Sequence, residues 1–336
     1  MKDAALRRAR RFSVAPMMDW TTRDYRYFAR LATRHALLYT EMVTAQAVRH
    51  GDREALLGFS EFEHPVAQQL GGNEPEVLAE AAKICEDMGY DEVNLNVGCP
   101  SDRVQSGAFG ACLMAQPELV AECVAAMQQA VSIPVTVKSR IGIDNQDDYE
   151  FLYRFIDTVR QTGCDSFTIH ARKAILKGLS PKENREIPPL LYARAYAIKQ
   201  DFPDLEIILN GGIKTFDEIA LHLQQVDGVM LGREAYQNPW ILRDVDEKIF
   251  GEAASTLTPH QWLENFLPYV EARYRAGHHP KYALKHLLNI FQAVPGARRF
   301  RRYLSENMHH VEATPQVLLE AMALVPDTTW QEAKTS

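Results

Sequence analysis

Residues 92–141 read EVNLNVGCPSDRVQSGAFGACLMAQPELVAECVAAMQQAVSIPVTVKSRI. The segment opens on a short β-rich run, Glu92–Val97, which enters a polar, glycine-containing loop. It closes on a second such run, Val135–Ile141. Between them, Pro117–Val131 carries apolar residues at 119, 120, 123, 124, 127 and 131, the spacing of one helix face. Working outward, the same alternation recurs. The β-rich runs are Arg11–Met17, Leu37–Val43, Val66–Gly72, Glu92–Val97, Val135–Ile141, Ser166–Ala171, Glu206–Asn210 and Gly228–Leu231. Eight strand–helix units in about 250 residues predict an α/β fold, a closed (β/α)8 TIM barrel. A doubly wound sheet is the alternative, but it rarely spaces eight strands so evenly.

The pattern changes after Phe250. Gly251–Thr258 is small and polar and reads as a linker. Beyond it only helical segments are found, at 259–275, 280–292, 296–309 and 315–324, separated by turn residues such as Gly277, Pro295-Gly296 and Thr314-Pro315. The expected organisation is a catalytic barrel over 1–250, a linker over 251–258 and a small all-α helical bundle over 259–336.

Of the 336 residues 46% are hydrophobic, enough for a large core. Five cysteines, at 85, 99, 112, 123 and 164, form no CxxC pair. This argues against a disulfide framework, a zinc site or an iron–sulfur cluster, so no metal is expected. Met1–Arg11 is basic without an apolar stretch, and no apolar run is long enough to span a membrane. A cytoplasmic protein is expected. The net charge of −7 is unevenly spread. Residues 260–310 hold eight Lys and Arg against three Glu, a net +5 that leaves −12 on the remainder. A basic module on an acidic body suits a polyanion held on one face.

Barrel chemistry is built at the carboxyl ends of strands. Cys99, just past the fourth run, is a candidate acid, base or nucleophile, and the carboxamide of Asn96 can orient a ring that carries both a donor and an acceptor. Gly211-Gly212 after the seventh run and Gly232-Arg233 after the eighth suit a phosphate, because glycine lets backbone amides approach an anion. Lys138 lies inside an apolar strand, where it either snorkels to water or faces an electron-rich cofactor; Arg140 follows on the same strand. His170 is either a core histidine or a cofactor contact, and Gln69 can hydrogen-bond a flat heterocycle. Cys85 and Cys123 read as core fillers, Cys164 as structural, and Cys112 is left open.

Together these residues resemble the flavin-dependent tRNA-dihydrouridine synthases. The resemblance is carried by APMMDWT at 15–21, QLGG at 69–72, NLNVGCPSDRV at 94–104, Lys138, IHAR at 169–172, NGG at 210–212 and GRE at 232–234. It spans the whole chain, and the NVGCPS motif is its most specific part. GLSPKENRE at 178–186 and PGARR at 295–299 are similar to the DusA branch, which acts on D-loop uridines 20 and 20a. Met18 stands where a leucine is expected, a conservative departure.

The resemblance implies FMN over the barrel mouth. Its phosphate would lie on Asn210, Gly211, Gly212, Gly232 and Arg233, and Pro16, Met17, Met18, Gln69, Lys138 and His170 would meet its ring system. NADPH would be the electron donor, with NADH less favoured. Reduction of the uracil C5=C6 bond needs hydride at C6 and a proton at C5, and Cys99, as a neutral thiol, is the candidate donor of that proton. Asn96 would hold the uracil edge, with Arg140 also at the substrate. Extruding the base costs roughly a few kcal/mol, which backbone contacts must offset. Lys182 and Arg185 would meet the tRNA beside the barrel. Arg298, Arg301 and Arg302 are spaced i, i+3, i+4 and, with Arg299, form either a phosphate-binding ridge or a solvated face paired with Glu306. A monomer is expected. The competing readings are a flavin barrel acting on a small molecule, an RNA-binding barrel without catalysis, and a non-redox phosphate-binding barrel.

Overall fold

The computed structural model describes residues 2–101, 104 and 107–326. Asp102 and Arg103 of the NVGCPSDRV motif, and residues 327–336 of the expected bundle, lie outside the described residues. The eight expected strands form. They are β1 Phe12–Val14, β2 Leu37–Thr44, β3 Val66–Gly71, β4 Glu92–Val97, β5 Val135–Arg140, β6 Ser166–His170, β7 Glu206–Asn210 and β8 Gly228–Leu231. Each pairs in parallel with the next, and β1 closes on β8. The doubly wound alternative is thereby excluded. β1 is shorter than its run because only Phe12–Val14 keep the ladder, with Ala15 N–H reaching the carbonyl of Leu231.

Between β4 and β5, helix Pro117–Ala130 buries Val120, Cys123, Val124 and Met127, the face that the spacing predicts. Strand residues such as Leu95, Val137, Ile169 and Leu209 are fully buried, as expected for parallel strands covered on their outer side by helices.

One helix was not legible in the sequence. Lys2–Arg10, read only as a basic N-terminus, is helical. Its apolar residues Leu6 and Ala9 are buried in a cluster with Ala15, Leu37, Tyr39, Ala67, Ile208 and Met230. Arg10 then enters the barrel. Its Nε donates to Glu92 Oε2 at 2.7 Å and its Nη1 to Glu206 Oε2 at 2.8 Å. Burial alone would lower the pKa of Arg10, but the two carboxylates override it and hold the guanidinium protonated.

The chain divides into two compact units, residues 1–19 with 35–232 and residues 20–34 with 233–336. The expected boundary at 251 is therefore not the packing boundary. Residues 233–250 group with the tail through Trp240, which packs edge-on against Trp262 and donates to Ile290 O; residues 20–34 do so because helix Arg23–Arg30 carries an aromatic face. Phe28 stacks on Trp262 at 4.5 Å, the Trp262 indole N–H donates to Phe28 O, and Tyr269 donates to Asp24 Oδ1. The four expected tail segments contain helices Pro259–Arg275, Lys281–Leu284, Ala297–Asn307 and Gln316–Met322. The first starts on a capping box of Thr258 and Gln261. Residues 251–258 have no regular secondary structure.

Candidate active site

Strand register brings the expected residues into two neighbouring rows of the barrel. Asn96 lies opposite Lys138 and, two residues on, Arg140 lies opposite His170 and His170 opposite Asn210. Lys138 Nζ donates to Asn210 Oδ1 at 3.1 Å, and Asn210 Nδ2 donates to the carbonyl of Met230 at 2.7 Å. Gly211 and Gly212 have φ of 118° and 74°. A Cβ on Gly211 would sit 3.1 Å from His170 Nε2, and one on Gly212 would sit 2.5 Å from Leu190. Glycine is therefore required twice over, by backbone conformation and by close approach. Gly232 lies beside Met17 and Ala15. Pro16 and Met17 are partly exposed and Met18 is exposed. Arg233 opens helix Arg233–Gln237 and falls in the second unit.

The loop after β4 holds Cys99 by its backbone. Cys99 N–H donates to Asn96 Oδ1 at 3.0 Å, and Cys99 O accepts from Ala111 N–H at 2.9 Å. Gly110, at φ 75°, lets the returning chain pass, since a Cβ there would meet Cys99 O at 2.6 Å. Among the described residues, the thiol donates to Ser101 Oγ at 3.4 Å. Among the other cysteines, Cys85, Cys123 and Cys164 are buried, as expected, and burial pushes each thiol up to about 12. Cys112, left open by the sequence, is partly buried and donates to Phe109 O.

Three cationic or basic side chains share the site. Burial, and then the neighbouring Arg140, push Lys138 down to about 7. Burial, followed by Arg140 and Lys138, holds His170 well below the ordinary imidazole value, so it is neutral at pH 7. Arg140 is lowered to about 10, first by burial, and stays charged. Its guanidinium donates to the carbonyls of Gly98, Lys173 and Asn184 at 2.8, 3.0 and 3.1 Å, tying the loops after β4 and β6 together. The sequence reading put Arg140 on the substrate; in the structure three of its bonds go to backbone.

The depressed Lys138 gives a pH prediction for the ligand-free protein. A lysine near 7 when folded and 10.5 when unfolded lowers stability progressively as pH falls from 10.5 to 7, and the full cost persists below 7. Lys138→Met should therefore be more stable than the parent at pH 6.5, by about 1–2 kcal/mol after allowance for solvent screening. That gain should shrink as pH rises toward 10. Thermal unfolding of the two proteins at pH 6.5 and 9.5 checks it, and an equal difference at both pH values would refute it.

Further expected residues lie on the surface. Lys182 and Arg185 are exposed around the short turn Glu183–Arg185. In the second unit, helix Ala297–Asn307 buries Ala297, Phe300 and Leu304 and exposes Arg298, Arg299, Arg301 and Arg302. Arg302 pairs with Glu306 at 2.7 Å, and Arg299 reaches Leu324 O.

Sequence reasoning missed Asn94, Thr136 and Asn184. Gln69 is nearly fully buried and sits between two carboxamides, donating to Asn94 Oδ1 and accepting from Asn96 Nδ2, both at 2.8 Å. Asn184, wholly buried, folds the loop after β6 by bonding Ile175 and Leu179.

The family model described as "Dihydrouridine synthase (Dus)" matches residues 13–325. The chain belongs to the dihydrouridine synthase family. It is 58% identical over 317 residues to the tRNA-dihydrouridine(20/20a) synthase of Vibrio cholerae, covering 94% of this chain and 97% of that one. The protein of the same name from Shewanella oneidensis is 60% identical over 300 residues, 89% of each chain. That from Escherichia coli K12 is 58% identical over 318 residues, 94% of this chain and 92% of that one. In fold, the chain is similar to the solved structure of an old yellow enzyme homologue from Zymomonas mobilis, with a TM-score of 0.50, 14% identity, and coverage of 75% of this chain and 92% of that one.

Dihydrouridine synthases are flavin-dependent oxidoreductases, and the residues here fit a flavin. Lys138 makes one of the three hydrogen bonds that an ammonium can donate. His170 Nδ1 is buried without a hydrogen bond of normal geometry. The glycine pair has the left-handed backbone that lets main-chain amides approach a phosphate. Among the described residues, no group of three or more metal-ligating side chains is found, and no helix is long and apolar enough to cross a membrane.

Proposed function

We propose that this dihydrouridine synthase reduces the C5=C6 bond of uridines 20 and 20a in the D-loop of tRNA, with FMN as its cofactor and NADPH as the electron donor. The observation that carries the reading is Cys99, held through its backbone by Asn96 at the same strand ends as Lys138, His170 and the glycine pair.

FMN, when bound, supplies the hydride that adds to uracil C6. Lys138 would hold the electron-rich part of its ring, His170 a polar ring edge, and Asn210, Gly211 and Gly212 its phosphate. Hydride addition builds enolate character at C5 and O4, so a positioned acid is required. The Cys99 thiol delivers its proton to C5. Asn96 has both amide functions engaged, but its Nδ2 retains a second N–H that can donate to the uracil edge. Neutral His170 and partly buried Lys138 keep the site low in bulk water and rich in oriented donors.

The tRNA backbone would lie on Lys182 and Arg185 and on the exposed arginines of the helical unit. Arg298→Ala and Arg301→Ala should each weaken tRNA binding and reduce the slope of log K against log salt by about 1. Arg302→Ala should have the smaller effect, because Glu306 already neutralises it. Binding titrations between 50 and 200 mM salt measure this, and unchanged slopes would remove the ridge from the interface. A cytoplasmic monomer agrees with this role.

The test is to incubate the purified protein with FMN, NADPH and tRNA lacking dihydrouridine, then map the product by position. Dihydrouridine at 20 and 20a supports the proposal. Product at other positions overturns the site assignment. None, from a protein that oxidises NADPH, would move the activity to a small molecule.

A further inference from the structure

A continuous chain of hydrogen bonds crosses the barrel interior. Cys99 N–H and Gly98 N–H donate to Asn96 Oδ1 at 3.0 and 3.1 Å. Asn96 Nδ2 donates to Gln69 Oε1 at 2.8 Å, and Gln69 Nε2 to Asn94 Oδ1 at 2.8 Å. Asn94 Nδ2 donates to Thr136 Oγ1 at 2.9 Å, and the Thr136 hydroxyl donates to Glu92 Oε1 at 2.5 Å. Tyr39 donates to the same oxygen at 2.6 Å, and Arg10 holds the other carboxylate oxygen. Every side chain from Gln69 to Glu92 is nearly or fully buried.

The chain has one sense. A carboxamide can be turned over, so three of them in a row admit two arrangements, with all N–H groups toward Glu92 or all away from it. Glu92, paired with Arg10, offers only acceptors. Thr136 must therefore donate to it, and its oxygen is left to accept from Asn94. That choice fixes Asn94, which fixes Gln69, which fixes Asn96 with its oxygen toward the loop. In the reversed sense, Asn96 would present an NH2 to the N–H groups of Gly98 and Cys99, and two part-buried donors would lose their acceptor. Alignment of the dipoles strengthens each bond in turn.

We infer that Glu92 and Thr136 are positioning residues for uridine reduction, setting from the far end of the barrel the orientation of the Asn96 carboxamide and of the Cys99 backbone. The inference rests on the reading that Cys99 delivers the proton. Thr136 suits this role because a hydroxyl can donate to a carboxylate while accepting from an amide. Gln69 acts in the same chain, so its oxygen and one N–H are fixed before any ligand arrives.

Thr136→Val keeps the shape and removes the hydroxyl, whereas Thr136→Ser restores it. Three quantities are measured on the FMN-loaded protein: kcat and KM with unmodified tRNA, thermal stability, and the alkylation rate of Cys99 by iodoacetamide, located by mass spectrometry. In Thr136→Val, kcat should fall about tenfold or more, with KM for tRNA within about twofold. Cys99 alkylation should rise about threefold or more as its loop loses the Asn96 anchor. Thr136→Ser should recover both. A merely structural role would lower stability in the valine protein while leaving kcat and the alkylation rate unchanged, and that result overturns the inference. So does equal loss of kcat in the valine and serine proteins. Should Thr136→Val not fold, Glu92→Gln carries the same expectations, because its NH2 must face either Arg10 or two hydroxyl donors; wild-type kcat in that protein also overturns it. Cys99→Ala runs alongside. If Cys99→Ala keeps full kcat, the acid assignment has failed, and the alkylation contrast still tests the chain.

Discussion

Cys99→Ala should slow dihydrouridine formation by about 10²–10⁴-fold, the usual contribution of a positioned general acid. The loss should fall on the step that consumes uridine. NADPH oxidation by the bound flavin needs no proton from this thiol and should stay within about threefold of the parent. Stability should change little, because the side chain is only partly buried and its bond to Ser101 Oγ is a weak thiol one. The loop geometry should also survive, since it is held by backbone groups, Cys99 N–H on Asn96 and Cys99 O on Ala111. The contrast is therefore between two half-reactions of one folded protein, read by rapid mixing. Equal slowing of both would point to a structural fault, and no slowing of uridine reduction would remove Cys99 as the acid.

The second large effect lies far from the chemistry. Arg10→Met should destabilise the protein by about 3–5 kcal/mol, as expected when a buried ion pair loses one partner. Glu92 and Glu206 would be left together in the barrel without their shared cation. Burial already raises the Glu206 pKa, with Arg10 acting against it. Without Arg10, the Glu206 carboxyl is pushed further above its unfolded value. Its contribution to stability is then present at low pH and lost as pH rises through the folded pKa. The deficit should thus be smaller at pH 5.5 than at pH 8. Urea unfolding at the two pH values measures it, and a deficit under 1 kcal/mol would mean that water reaches the two acids.

The barrel was legible because its strands are apolar and evenly spaced, and because Pro117–Val131 shows a clean helical period. Cys99, Lys138, His170 and the two glycines, the residues proposed for the site, are picked out by reading along the strands and their ends alone. The interior chain could not be found that way. Arg10 meets Glu92 and Glu206 across 82 and 196 residues, and no local pattern reports such a contact. A partial signal did exist: Glu92, Asn94 and Asn96 alternate with Val93, Leu95 and Val97, so three polar side chains share one face of a buried strand. Unmet polar groups in a core are costly, and that alternation already implies mutual bonding. The grouping of residues 20–34 with the helical tail was hidden for another reason. Phe28 and Trp262 lie 234 residues apart, and only packing pairs them.

The most direct measurement is a single turnover without oxygen. The FMN-loaded protein is reduced, freed of NADPH and mixed with tRNA lacking dihydrouridine, while the flavin absorbance and the dihydrouridine content are followed together. The account predicts reoxidation with one dihydrouridine formed per flavin, at positions 20 and 20a. A flavin that stays reduced in the presence of this tRNA, or reoxidises without dihydrouridine, would contradict it.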